Sequence, residues 1–527
     1  MTMKPAAADL VLKNVKVYTV DPEFRVAECL AVAGGRIVDV GPEARVLERW
    51  TPAQVVDGKG RWVYPGLMDP HSHLFGYAIS LGNADLTGAR SWEETVDRVR
   101  EHQRKHPTAW AQGRGWNQED WPGQAFPTRD LLDRAFPDQP VLLVRVDGHA
   151  AVVNGAALAL AGVDERTRVD GGEFTQSAGR LTGLLIDNAI ERVRQTVPLP
   201  DREARERALL QAQGNCFQVG LTSVCDAGIS LDEVLLLDDL HQAGRFKLRV
   251  YAMLDPTQEN YDHFLARGVY VTDRLTVRSV KTYADGALGS RGALLLQPYQ
   301  DDPINRGLQL ASREALDAIC RRAHAAGYQV CTHCIGDAAV RLMLDLYTPY
   351  LEPGNDRRWR IEHAQIIDPE DLHRFGRHGV VPSVQTTHAT SDMRWAAERL
   401  GPRLKHGYRY QELLGENGWL PNGSDFPVER IDPLLGFYAA VARKDARGWP
   451  EGGFQMENAL TREQALRAMT IWAARANFEE AGRGSLEPGK WADFVILDRD
   501  LMTVPEPELL SARVVATYLG GEKVYAR

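Results

Sequence analysis

The sequence predicts an α/β protein: a (β/α)8 TIM barrel, a small β-sandwich built from both chain ends, and a large insertion after the first barrel strand. Three observations predict it. Eight short apolar runs recur through the middle of the 527-residue chain. Amphipathic stretches such as SREALDAICRRAHAAG, apolar at helical spacing, separate most of them. Both termini carry β-rich runs with Gly-Gly turns.

At the start, DLVLKNVKVYT and CLAVAGGRIVDVG are short β-rich runs with a turn at Gly34 and Gly35. At the end, ADFVILDRD and VVATYLGGEKVYA repeat the style, with Gly520 and Gly521 as the turn. Neither half is large enough to fold alone, so residues 1–62 and 481–527 are expected to pair into one domain. The barrel is expected over 63–480. Its strands are WVYPGLMD, LTSVCDAG, KLRVYAMLD, LTVRSVKTYADG, YQVCTH, WRIEHAQI, GVVPSVQ and LPNGSD. The gap between the first two runs is far longer than one strand–helix unit needs, which places an insertion at about 75–213. Trp116, Trp121, Pro122, Gly123 and Pro127 form a loop-like cluster within it.

Composition bounds the function. Lys and Arg number 62 against 71 Asp and Glu, a formal charge of −9, with 44% apolar and 25% charged residues. These values exclude a disordered chain and a disulfide-stapled mini-protein. The acidic balance argues against a nucleic-acid binder, which needs basic surface. Six cysteines are sparse for this length and fit a reducing compartment. The N-terminal stretch has no leader-like apolar core, and no run of 18 apolar residues occurs. The expectation is a soluble cytoplasmic protein with a small-molecule substrate, no membrane or nucleic-acid partner, and a homodimeric state on base rates.

Several polar residues fall at strand ends. His71 and His73 are two apart after an apolar run, so both imidazoles can face one centre. His333 ends QVCTH, His363 ends RIEH and Asp425 ends NGSD. The C-terminal strand ends of such a barrel are where active sites are built. Each residue alone could be a satisfied core group; together at one barrel mouth they read as a metal site. Imidazole and carboxylate suit zinc, and also iron, manganese or nickel. Lys281 lies in an apolar strand. It either snorkels to the rim or is a buried amine altered by its site. Cys331 and Cys334 form a CxxC with no second pair, so Cys331 is expected in the core and Cys334 at the rim. Gly286, Gly289 and Gly292 give GxxGxxG, which implies no phosphate loop. For substrate contacts, His149 and Asn154 of the insertion, Arg291 after the fourth strand and His388 after the seventh are candidates. A turn or a structural ion pair explains the first three equally well.

The motifs PGLMDPHSHL, GWNQEDWP, RVDGHAAVVN, VKTYADGALGSRGALL, THCIGDAAV, RIEHAQIIDP, NGSDFPVE and GSLEPGKWADFVILD, in this order, resemble the amidohydrolase superfamily. More closely they resemble its amidohydrolase-3 branch, which includes N-substituted formamide deformylases. The likeness covers nearly the whole chain. It implies that His71 and His73 bind one divalent metal, that Lys281 is N6-carboxylated and bridges two, and that His333 and His363 bind the second. Asp425 would bind the first metal and act as general base. Zinc, one or two per chain, is the expected cofactor. The implied reaction is hydrolysis of a non-peptide carbon–nitrogen bond, an amide or N-acyl or N-formyl compound, by a metal-activated hydroxide. A deaminase or cyclic amidase on the same scaffold, or a non-catalytic binding barrel, are the alternatives. Superfamily deaminases often carry a glutamate three residues after the fifth-strand histidine. Here that position is Gly336.

Overall fold

The computed structural model describes residues 6–527. Seven consecutive parallel strands form the barrel wall: Leu67–Ser72, Leu221–Ile229, Arg249–Leu254, Leu275–Tyr283, Gln329–Cys334, Arg360–His363 and Val381–Ser383. The eighth position is a parallel bridge between Val384 and Asn422. The ring then closes by two hydrogen bonds. The Asp425 N–H donates to the His71 carbonyl, and the His73 N–H donates to that of Phe426, both at 2.8 Å. Buried on both faces, these strands read as near-continuous apolar runs.

The helices between them are set by local signals. Ser312 caps Arg313–Ala326 by accepting from the Ala315 N–H. Gly327 ends that helix at φ 73°. Leu316, Cys320 and Ala323, at helical spacing, bury its inner face. Within the described residues, no helix is long and apolar enough to cross a membrane.

The first apolar run is two strands, not one. Trp62 to Pro65 end the long strand Trp50–Pro65, which pairs antiparallel with Phe494–Leu497. The barrel strand starts only at Leu67. Gly66 makes the junction, where any Cβ would stand 2.3 Å from the Thr222 hydroxyl. Strands from both ends of the chain thus share one eight-stranded sheet, beginning with Ala6–Tyr18 and ending with Glu522–Ala526. Leu12, Val17, Leu30, Val63, Phe494 and Tyr518 pack on it. Arg249 of the third barrel strand clamps this sheet: Nε donates to Asp493 Oδ2 at 2.7 Å and Nη2 to Oδ1 at 2.9 Å.

Between the first barrel helix, Leu74–Ser80, and the helix Arg202–Gln218 stands a separate six-stranded sheet. Trp116 and Trp121 pack within its core, their rings 5.9 Å apart. Asn154 is structural there. Its Oδ1 caps Gly155–Leu160 and its Nδ2 donates to the Phe136 and Gln139 carbonyls. Cys331 points into the barrel beside Cys225, Tyr251 and Met253. Cys334 is not at the rim. Three residues on, alternation turns it outward, where the helices bury it completely.

Candidate metal centre

Four imidazoles and one carboxylate converge at the C-terminal mouth of the barrel. His73 Nε2 lies 3.2 Å and His71 Nε2 3.5 Å from Asp425 Oδ1, and His388 Nε2 lies 3.6 Å from Oδ2. The His363 ring is 4.9 Å from that of His71 and 5.6 Å from that of His388. Two compact donor groups result: His71, His73 and Asp425; and His363, His388 and Asp425. Within each, the ligand atoms lie within 4.8 Å of one another.

Partners behind the site aim the rings. His71 Nδ1 is 2.6 Å from Glu362 Oε2, and His363 Nδ1 is 2.6 Å from Gln385 Oε1. Each Nδ1 therefore carries the proton, leaving the Nε2 lone pair toward the centre. Burial pulls His73, His333 and His363 below the usual imidazole range, which keeps them neutral donors. Burial would raise Asp425, but the adjacent His73, His71 and His363 hold it well below the usual carboxylate range. Asp425 Oδ1 and His388 Nε2 are buried polar atoms with no hydrogen-bond partner. Such orphans carry a desolvation cost that a cation would relieve. The donor set thus fits a divalent metal. His363 at φ 72° and Asp425 at φ 62° hold left-handed backbone, a strain that clusters at functional sites.

The remaining expected residues divide. Lys281 Nζ lies 3.3 Å from His71 Nε2, outside both close donor groups. His333 is also outside them. Its ring lies between His149 at 4.8 Å and His363 at 4.5 Å, with Nε2 3.4 Å from the Gly286 carbonyl. His388, a candidate substrate contact, lines the cavity and also lies in one donor group with His363 and Asp425. His149 reaches the cavity from the insertion, its Nδ1 2.6 Å from Asp187 Oδ1. Arg291 is not brought to the cavity, because its guanidinium pairs with Asp301 at 2.8 Å. Arg145 lines the wall there.

Sequence reading missed Glu362, Gln385 and Asp187. Glu362 directly precedes His363, and strand alternation sends neighbours to opposite faces. The turn to positive φ at His363 and Ala364 lets both serve one centre. The whole opens into a cavity of about 610 Å³ lined by both barrel loops and insertion.

The sequence profile of the amidohydrolase family matches residues 54–525. Protein LONG AFTER FAR-RED 3 of Arabidopsis thaliana is 34% identical, over 98% of this chain and 92% of its own length. N-substituted formamide deformylase of Arthrobacter pascens is 28% identical, over 98% of each. The crystal structure of an uncharacterized metal-dependent hydrolase from Pyrococcus horikoshii superposes with a TM-score of 0.77 at 30% identity, covering 94% of this chain and 99% of that one.

Proposed function

Because this chain belongs to the amidohydrolase family, we propose that it is a metal-dependent hydrolase of a non-peptide carbon–nitrogen bond, the amide of an N-formyl or other N-acyl small molecule. One observation carries the chemistry: the buried Asp425 carboxylate, with a free oxygen, faced by His71, His73 and His388. The formamide deformylase likeness supports the bond type.

His71, His73 and Asp425 would hold one cation, and His363, His388 and Asp425, with His333 alongside, a second. When bound, such ions supply Lewis acidity for the substrate oxygen and lower the pKa of water to about 7. Asp425 takes the proton from the attacking water and delivers it to the departing amine nitrogen, which cannot leave as an anion. Lys281 is buried, its pKa lowered by burial, with no carboxylate paired to it among the described residues. Its neutral amine would attack carbon dioxide, forming the N–C bond of a carbamate and releasing one proton. The carbamate would bridge the two donor groups. His149, steadied by Asp187, offers Nε2 to the substrate oxygen.

A deaminase reading is disfavoured. A Cβ at Gly336 would stand 1.9 Å from the Leu294 carbonyl oxygen, so no glutamate fits there. The test is elemental analysis of protein purified without chelators, joined to a screen of N-formyl, N-acyl and cyclic amides for amine release. One or two metals per chain with turnover of an acyclic amide is expected. No metal after reconstitution with zinc or manganese, or turnover of cyclic amides alone, overturns the reading.

A further inference from the structure

Asp187 ends the insertion strand Arg180–Asp187 and stands at the N-cap of the helix Asn188–Arg194. An aspartate there ordinarily accepts from the first free N–H groups of its helix. This one makes no cap hydrogen bond. Its backbone is strained at φ 50°, and the carboxylate turns away so that Oδ1 takes His149 Nδ1 at 2.6 Å. Oδ2 is buried without a partner. A forgone cap, a strained backbone and an orphaned oxygen meet at one side chain, and stability alone explains none of them.

The barrel leaves room for this carboxylate. Gly286 and Gly292 follow the fourth barrel strand and both lie against it. A Cβ at Gly286 would stand 2.4 Å from Asp187 Oδ2, 2.7 Å from Oδ1 and 2.8 Å from Cγ; one at Gly292 would stand 2.5 Å from Oδ2. Two of the three glycines in GxxGxxG therefore form a socket for a residue of the insertion. Asn188 fastens the same corner, its Nδ2 donating to the Leu310 carbonyl at 3.1 Å. The Gly286 carbonyl faces His333 Nε2 at 3.4 Å, so this glycine lies between the supports of two imidazoles. With Nδ1 engaged, the remaining nitrogen of His149 is Nε2. The ring lines the cavity, 4.8 Å from that of His333.

We propose that Asp187 is a positioning residue for catalysis, seated from the insertion into the socket of Gly286 and Gly292, and that this seat sets His149 Nε2 toward the substrate. The insertion then supplies a substrate-facing group to the barrel centre and not only a wall. What His149 does there rests on the hydrolase reading; what holds it rests on the socket.

Asp187→Ala, Gly286→Ala and the double variant are compared with the parent on an N-substituted formamide, all metal-loaded and checked for folding by thermal melts. Asp187→Ala should lower kcat about 100-fold, the scale of a misplaced group, with KM and metal content little changed. Asp187→Asn, whose oxygen can still accept from Nδ1–H, should recover part of it. Gly286→Ala should lower kcat as well, but add nothing once residue 187 is alanine, because the three atoms nearest that Cβ all belong to Asp187. The proton on His149 Nδ1 gives a downfield NMR resonance, identified by its absence in His149→Gln. It should vanish in Asp187→Ala and move in Gly286→Ala. If no formamide or other N-acyl compound is cleaved, the hydrolase reading fails and that resonance alone decides the positioning. If Asp187→Ala does not fold, kcat and the resonance of Gly286→Ala decide instead. Parental kcat in a folded Asp187→Ala, a Gly286→Ala loss that persists in full in the double variant, or a resonance indifferent to the substitutions overturns the proposal.

Discussion

His71 is oriented from behind by Glu362, and that pair shows how a buried acid can tune a ligand it never replaces. Burial would raise Glu362, yet His71 and Arg360 hold it at about 2, so it stays an anion. Glu362→Gln should weaken metal affinity by about 10- to 100-fold, measured by competition with a chelator, while His71 remains in place. Lys281→Ala should lose metal and regain part of it with added short-chain carboxylate; full occupancy in that variant would refute the bridging carbamate. Asp425→Asn should lower turnover by at least 10²-fold, the scale of one acid–base group, followed in protein matched for metal content. The HxH pair and the strand-end His363 and Asp425 were legible because strand period fixes where they point. His388 was not. It lies on the short helix Thr386–Asp392, whose register against the seventh strand no sequence period encodes. For Arg291 the two readings, substrate contact and structural ion pair, stood level in the sequence, and the pairing with Asp301 ten residues on is the second of them.

Among elements, the clamp between the third barrel strand and the terminal sheet is the sharpest test. Arg249 and Asp493 are buried and doubly hydrogen-bonded, so Asp493→Asn leaves a guanidinium without its charge partner. A loss of roughly 3–5 kcal/mol is expected from urea unfolding. Burial would raise Asp493, but Arg249 lowers it below its ordinary value. Its contribution is therefore complete above the unfolded pKa near 3.9 and fades as pH falls through the lower, folded value. Seven barrel strands were legible, since burial on both faces leaves unbroken apolar runs, while the eighth run, LPNGSD, joins the ring only through a bridge at Asn422. The junction at Gly66 was hidden inside one such run. The sheet of the insertion was hidden for the opposite reason: strands such as AQGRGW are short, glycine-bearing and partly polar, and read as loop.

For the whole molecule, the insertion matters through one buried knot. Arg399 of the barrel binds Glu119 of the insertion and also Asp301, at 2.6 Å. Glu119 lines the cavity, so the knot fixes one wall against the other. Arg399→Gln should raise KM more than it lowers kcat and should open the 117–127 segment to limited proteolysis, both relative to the parent enzyme. Proteolysis unchanged in that variant would show the wall to be held by packing alone.

The shared terminal sheet also imposes an order in time. The strand ending at Pro65 finds its neighbour Phe494 only after about 430 further residues have been made. At 5–20 residues per second, that is roughly 20 to 90 seconds on the ribosome with one β-edge open. An open edge recruits other chains. The nascent protein thus carries a sticky flank through most of its synthesis, and the final few dozen residues act as the closure that ends the exposure.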